Sequence, residues 1–254
     1  MSRTLIVTAD DVGLHPGINE GAIRAHREGI VTSCSIVANG VAFDDAIARL
    51  RDAPSLEAGV HLTLVEERPL TKIRSPKKYT SFVPLYLARA ITLAAIEREL
   101  RAQLERVLGT GLRVTHLNGH QHLHLLPRVF DVVRRLASEY GIGYIRIVDD
   151  HGGAARALSM RILSALGRRA RTRGLTNDRT IGVAAAGHLA DVTPLLDHVE
   201  GITELVTHPG LGVSGYAWGY DWDRETRALC DPRLHDELAK RVIRLAAPSA
   251  ARLI

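Results

Sequence analysis

The chain has 254 residues, of which 46% are hydrophobic and 24% are charged, and its formal net charge is +5. This composition is typical of a soluble globular protein, and no uninterrupted apolar run is long enough to span a bilayer. The basic balance does not indicate nucleic-acid binding, because only 4% of the residues are aromatic and no nucleic-acid motif is present. The two cysteines lie far apart and no secretory signal opens the chain, so we expect reduced thiols and a cytoplasmic location.

Short β-rich runs alternate with amphipathic helical patterns along the chain. Strands are predicted at 4–9, 32–37, 57–64, 114–118, 144–148 and 203–206, and helices at 19–28, 43–51, 92–108, 128–140, 191–198 and 232–241. Such alternation is typical of βα units that form a parallel sheet. We therefore predict an α/β fold, an irregular (β/α) barrel that spans residues 1–254 as a single domain.

Two excursions interrupt the barrel pattern, near 69–87 and 149–182. The first is rich in Pro, Lys and Ser, and we expect it close to the active face. In the second, apolar residues fall at helical spacing and can line one face of a helix that packs on the barrel. Contact of that face with a membrane or a lipid is the alternative, given the arginines beside it. The apolar residues are Leu158, Ile162, Leu163 and Leu166.

Four histidines fall within nine residues, between His116 and His124. Imidazole is the commonest protein ligand for metals and the usual proton carrier near neutral pH. If this segment is extended, side chains alternate between faces, so His120, His122 and His124 point the same way. A chance cluster on a solvated loop is the alternative.

Acidic and histidine side chains follow several predicted strands, where barrel enzymes keep their chemistry. Asp10 and Asp11 follow the first strand and are expected to end it. His61 lies on the third strand, and His208 follows the strand at 203–206. One aspartate can bind a metal while the other takes a proton from water, although a turn or helix cap would also use Asp11 before Gly13. His208 could protonate a leaving group, or be an ordinary loop histidine.

Four motifs in chain order resemble those of the YdjC-like carbohydrate deacetylases, a family that includes chitooligosaccharide deacetylases. The first is Thr-Ala-Asp-Asp-Val-Gly-Leu at 8–14, with 16–19 and 29–33 after it. The others are Gly-Val-His-Leu-Thr-Leu at 59–64, the histidine segment at 115–127 and Thr-His-Pro-Gly at 207–210. The resemblance spans most of residues 4 to 212.

This resemblance implies an irregular (β/α) barrel, a divalent ion (magnesium or zinc-like) and hydrolysis of the N-acetyl group of an amino sugar. By position, Asp11, His61 and His120 would hold the metal. Asp10 would be the base and His208 the acid. The residues that would contact the substrate or support a metal ligand are His122, His124, Asn118 and Arg146.

One departure concerns Asn118, where many members of the family carry Asp. Asn118-Gly119 and the segment 174–179 are similar to a subgroup associated with hopanoid lipid biosynthesis. An acetylated sugar attached to a lipid is therefore an alternative to a chitooligosaccharide, and a homodimer is a further expectation.

Two other classes of function stay open on the sequence. A metal-dependent phosphoesterase would also use an Asp/His rim, although no glycine-rich phosphate cradle is present and a two-metal site would need more carboxylates. A non-catalytic metal- or sugar-binding protein would need no base, so Asp10 would then be dispensable.

Overall fold

Parallel strands build one curled sheet in the computed structural model, which describes residues 3–149, 158–171, 176–216 and 218–251. The sheet order is β5-β4-β3-β2-β1-β7-β6. Strand β8 pairs with the first residues of β1, and β2 pairs with the later residues along the same edge of β1. The strands are β1 Arg3–Val12, β2 Ser33–Ile36, β3 Glu57–Leu62, β4 Val114–Gly119, β5 Tyr144–Ile145, β6 Arg179–Ile181, β7 Ile202–Thr207 and β8 Ile243–Leu245.

Helices cover this sheet and connect its strands, which confirms the predicted α/β class and the irregular barrel. The helices are α1 Pro16–Arg27, α2 Phe43–Arg51, α3 Tyr79–Leu87, α4 Leu93–Leu108, α5 Val129–Glu139, α6 Leu158–Ala170, α7 Thr193–Leu196, α8 Trp222–Leu229 and α9 Arg233–Lys240. None of the helices in the described ranges combines the length and apolar character that a membrane crossing requires.

Several short elements were not predicted from the sequence. Helix α3 lies inside the first excursion and contains Pro84, a residue that normally argues against a helix interior. Strands β6 and β8 have three residues each, too few for a period-two pattern to stand out. Helix α1 begins earlier than predicted, because Pro16 occupies its first turn and the His15 side chain accepts a hydrogen bond from the Gly17 amide at 3.0 Å.

Strand β1 continues through the two aspartates, so the expectation that Asp10 and Asp11 end it was wrong. Its pairing with β2 shifts register between Ala9 and Val12, where β1 has one residue more than its partner. Asp11 sits in this bulge with a φ of 66°. Bulges re-aim side chains next to active sites, and here the bulge turns neighbouring carboxylates to different partners.

The strand order ends at β5 and β6, and two side chains bridge these edges. Asn177 accepts a hydrogen bond from the Ile147 amide at 2.8 Å and donates to the Ile147 carbonyl at 3.0 Å. Thr180 donates to the same carbonyl at 2.5 Å. The Asn177 amide thus replaces a strand partner and satisfies buried backbone groups at the gap of the barrel. Part of the segment 174–179, which resembles the lipid-associated subgroup, lies outside the described residues.

Candidate active site

Three buried side chains from separate strands meet at the carboxyl end of the barrel. His61 on β3 has its Nε2 3.4 Å from Asp11 Oδ1, and His120, directly after β4, has its Nδ1 3.3 Å from the same oxygen. One ligand atom of each residue lies within 4.8 Å of the others. The structure therefore brings together the three residues that the sequence assigned to a metal.

The histidine segment is not extended, so the expectation of three imidazoles on one strand face was wrong. Strand β4 ends at Gly119, and His120–Leu125 form a 3-10 turn in which Gln121 and His122 have φ angles of 50° and 55°. These left-handed residues turn the chain after His120. As a result His120 faces Asp11, His122 lines the cavity, and His124 donates from Nε2 to the Arg146 carbonyl at 2.9 Å.

The chemistry of this triad fits a divalent cation. Asp11 Oδ1 is buried and makes no hydrogen bond within the described part of the chain, although two imidazole nitrogens face it. Burial lowers the pKa of His61, which favours the neutral imidazole that a metal ligand must be. An unpartnered buried carboxylate oxygen is costly unless a cation or donor satisfies it. Two imidazoles and one carboxylate leave coordination positions for water and substrate.

Asp10 lies beside this triad and is held by four donors. Its Oδ1 accepts hydrogen bonds from Ser35 at 2.7 Å, from Asn118 Nδ2 at 2.9 Å and from Arg146 Nη2 at 3.0 Å. Its Oδ2 accepts one, from Arg146 Nη1 at 2.5 Å. Burial alone would raise the pKa of Asp10, but the charges of Arg146 and His61 hold it far below its usual value. Asp10 is therefore ionised near neutral pH, and its Oδ2 accepts hydrogen bonds from Arg146 alone among the described residues.

Arg146 is completely buried and connects Asp10 to a second carboxylate, Glu204 on β7. Its Nη2 is 2.7 Å from Glu204 Oε1, which also accepts from Thr8 at 2.7 Å, while Tyr144 donates to Glu204 Oε2 at 2.7 Å. Burial opposes the charge, yet both carboxylates raise the pKa of Arg146. Arg146 was predicted to belong to the site, but Glu204 was not. The available signal for Glu204 was a charged residue inside a strand that is otherwise uncharged.

Glu66 is a further part of the site, and no motif in the sequence indicated it. Its Oε2 lies 3.2 Å from His120 Nε2 and accepts a hydrogen bond from the Trp218 indole at 3.0 Å. Burial would lower the pKa of His120, but Asp11 and Glu66 raise it to about 10, so a metal would have to displace the Nδ1 proton that faces Asp11. Since His120 Nδ1 faces Asp11, its Nε2–H points to Glu66, the arrangement in which a carboxylate orients a metal-binding imidazole. Two consecutive glutamates shortly after the third strand were the available signal.

His208 completes the ring of titratable groups from the end of β7. Its Nε2 is 3.9 Å from Asp11 Oδ2, and its ring centroid is 5.2 Å from that of Tyr220. The His208 backbone amide donates to Glu225 Oε1 at 2.6 Å, which anchors the loop to α8. His208 and Asp10 both border the Asp11 triad.

A cavity of about 590 Å³ opens over these groups. One part of its wall is polar, with Asp10, Asp11 and His208 among its residues. The other part is apolar and comes from α3, the turn after β4, and α6. The apolar wall comprises Tyr79, Val83, Pro84, Leu123, Leu126, Ile162 and Leu166. Of the apolar residues predicted on one face of α6, Ile162 and Leu166 lie in this wall, whereas the side chains of Leu158 and Leu163 lie outside what the structure describes.

Comparison with known proteins supplies the family. The profile of the YdjC-like proteins matches residues 4–240. A carbohydrate deacetylase of Geobacillus stearothermophilus is 34% identical over 254 residues, which is 96% of this chain and 96% of that protein. A carbohydrate deacetylase of Brevibacillus brevis is 37% identical over 150 residues, or 54% of this chain and 57% of that protein.

A solved structure shares the fold at low sequence identity. It is a protein of Enterococcus faecalis named for cellobiose-phosphate cleavage, with a TM-score of 0.79 and 23% identity. The match covers 98% of this chain and 99% of that one. At this identity the likeness concerns the arrangement of strands and helices.

Proposed function

Since this chain belongs to the YdjC-like protein family, we propose that it is a metal-dependent hydrolase that removes the acetyl group from an N-acetylated amino sugar. The observation that carries the proposal is the convergence of Asp11, His61 and His120 within 4.8 Å. Asp10 and His208 border this triad in the same cavity. The two carbohydrate deacetylases among its relatives support the same reaction.

Asp11, His61 and His120 would hold the ion, with magnesium and zinc as the first candidates. A divalent ion held by these residues would supply Lewis acidity, which lowers the pKa of water and polarises a carbonyl. Glu66 and Asn118 keep the two imidazoles in place through hydrogen bonds at the nitrogens that face away from Asp11.

Asp10 and His208 would move the protons of the reaction. Asp10 Oδ2 accepts a single hydrogen bond, so it can receive the proton of an attacking water. Because the charge of Arg146 keeps the pKa of Asp10 low, Asp10 would release the proton again readily, which regenerates the carboxylate. His208 would then protonate the departing amine. His122 lines the cavity and would contact the sugar, while the buried His124 and Arg146 would support the site through their hydrogen bonds.

The apolar wall of the cavity bears on the substrate class. A chitooligosaccharide presents hydroxyl and acetamido groups along its whole length, whereas this part of the cavity is mainly apolar, with Tyr79, Thr80 and Gln121 as its polar side chains. The wall favours a sugar that carries an apolar group beyond its acetamide. A lipid-linked amino sugar is therefore the substrate class that we propose, with short chitooligosaccharides as the comparison.

The two other functional classes have less support from the site. Asp11 is the single carboxylate in the triad, Asp10 is engaged by Arg146, and Glu66 is engaged by His120 and Trp218, so few free ligands are left for a second metal among the described residues. A non-catalytic binder would not need a buried carboxylate with a free lone pair beside the metal ligands.

Acetate release tests the proposal directly. Metal-stripped protein is supplied with magnesium, zinc, cobalt or nickel and given N-acetylglucosamine linked to an alkyl chain, short chitooligosaccharides, and phosphate monoesters. We expect metal-restored release of acetate, fastest from the alkyl-linked sugar. Phosphate release without acetate release would establish the phosphoesterase, and metal binding without turnover of any substrate would establish the binder.

A further inference from the structure

Helices α3 and α6, which both line the cavity, also carry exposed apolar side chains. On α3, Tyr79 and Leu87 lie on one face, two helical turns apart, and Leu87 is 72% exposed. On α6, Ile162 is 53% exposed and lines the cavity. We call these three residues the apolar rim. Large exposed apolar side chains on two helices that line the same cavity indicate an interaction surface rather than an ordinary solvated one.

The segments that carry the apolar rim are strongly basic. Residues 69–90 contain five Lys or Arg residues, residues 158–171 contain four, and neither segment contains an Asp or a Glu. Because the whole chain carries a net charge of only +5, the rest of the sequence is net negative. Arg168 and Arg171 are paired with Asp149, at 3.0 and 3.1 Å. The other seven cations are exposed: Lys72, Arg74, Lys77, Lys78, Arg89, Arg161 and Arg169.

We propose that this end of the molecule docks on an anionic membrane surface, with the apolar rim in the headgroup layer and the surrounding cations on anionic lipid headgroups. Interfacial helices combine basic and apolar side chains in this way. Each Lys or Arg near an anionic leaflet contributes about 1 kcal/mol of attraction. A purely electrostatic polyanion such as DNA would use the cations but not Leu87 or Ile162.

Docking in this orientation would place the cavity against the bilayer. Tyr79 and Ile162 belong both to the apolar rim and to the cavity wall, so the opening would face the lipid surface. The inference does not depend on the hydrolysis proposed above, because it rests on surface composition outside the Asp11 triad.

Co-sedimentation with vesicles tests the docking. The full chain is mixed with phosphatidylcholine vesicles that contain or lack phosphatidylglycerol, and the bound fraction is measured as lipid concentration rises. We expect binding to the anionic vesicles only. Leu87→Asp should weaken binding about tenfold or more, because it removes an apolar contact and adds a negative charge. The double change Lys77→Ser with Lys78→Ser should weaken binding by a similar factor, because it removes two cations that attract the anionic headgroups.

The matched control is Val242→Asp, because Val242 is 81% exposed and precedes β8 at the amino end of the barrel. It should bind vesicles like the unchanged protein. Leu87 lies outside the cavity lining, so Leu87→Asp should still act on a water-soluble acetylated sugar at the unchanged rate. Failure of hydrolysis in every variant, with vesicle binding intact, would contradict the hydrolase and leave the docking standing.

Two results would overturn the docking. One is the absence of binding to anionic vesicles by the unchanged protein. The other is binding that Leu87→Asp leaves intact and that heparin reproduces with equal affinity, since this would indicate a general polyanion site.

Discussion

His61 Nδ1 lies 2.7 Å from the amide oxygen of Asn118, and this contact determines which imidazole nitrogen is free. The Asn118 amide nitrogen faces the Asp10 carboxylate at 2.9 Å and must donate to it. The Asn118 oxygen therefore accepts from His61, whose proton sits on Nδ1. The lone pair of His61 is left on Nε2, the nitrogen that faces Asp11. One amide thus orients both the expected base and an expected metal ligand.

Removal of this amide should weaken metal binding. Asn118→Leu takes away the acceptor that holds His61, and loss of such an outer hydrogen bond typically lowers metal affinity about 10- to 100-fold. Competition with a chromophoric chelator measures the change. Asn118→Asp keeps an acceptor for His61 and should retain more affinity. Equal affinities for Asn118→Leu and the unchanged protein would show that His61 needs no such support.

Asp10 and Asp11 should separate turnover from metal binding. Asp10→Asn keeps the three metal-binding side chains, so metal should still bind, while turnover should fall about 10²- to 10⁴-fold with loss of the base. Asp11→Asn, the same change one residue later, should lose metal and activity together. Isothermal titration and acetate release measure the two properties on each variant. Normal turnover by Asp10→Asn would rule out its role as the base.

Glu66 should contribute to metal affinity through His120. Glu66→Ala removes the carboxylate at 3.2 Å from His120 Nε2, and we expect metal affinity to fall about 10-fold or more. Glu66→Gln keeps an acceptor and should lose less. The neighbouring change Glu67→Ala is the control, and similar losses at both positions would point to a general effect of loop charge. Chelator competition applies here as well.

Arg146 should be essential for stability. Arg146→Met leaves Asp10 and Glu204 buried without their shared cation, and removal of one partner of a buried ion pair typically costs about 3–5 kcal/mol. Urea denaturation measures the free energy of unfolding. Arg233→Met is the control, because Arg233 is exposed and its loss should leave stability unchanged. An unchanged unfolding free energy for Arg146→Met would mean that the two carboxylates find other partners or protons.

Local patterns in the sequence were enough to predict the class of fold. Runs of β-branched residues and helical periodicities are local signals, and parallel strands bring their carboxyl ends to one edge. The residues Asp10, Asp11, His61, His120 and His208 were therefore predicted to converge, and the structure places them around one cavity.

Contacts between distant segments were beyond the reach of local patterns. The hydrogen bonds from Arg146 to Asp10 join residues 136 positions apart, and Glu66 reaches His120 across 54 positions. The expectation of an extended histidine segment failed because two residues after His120 adopt left-handed backbone angles, which composition does not reveal.

The sequence by itself determined the strand and helix alternation, the family motifs and the set of Asp and His residues at the strand ends, because each depends on residues close together in the chain. Only the tertiary structure decided the bulge that turns Asp11 toward two imidazoles and the Arg146 link between two buried carboxylates. It also decided that α3 and α6, which carry the apolar rim, line the same cavity. These features depend on which surfaces pack together, and burial is a property of the whole fold rather than of any one segment.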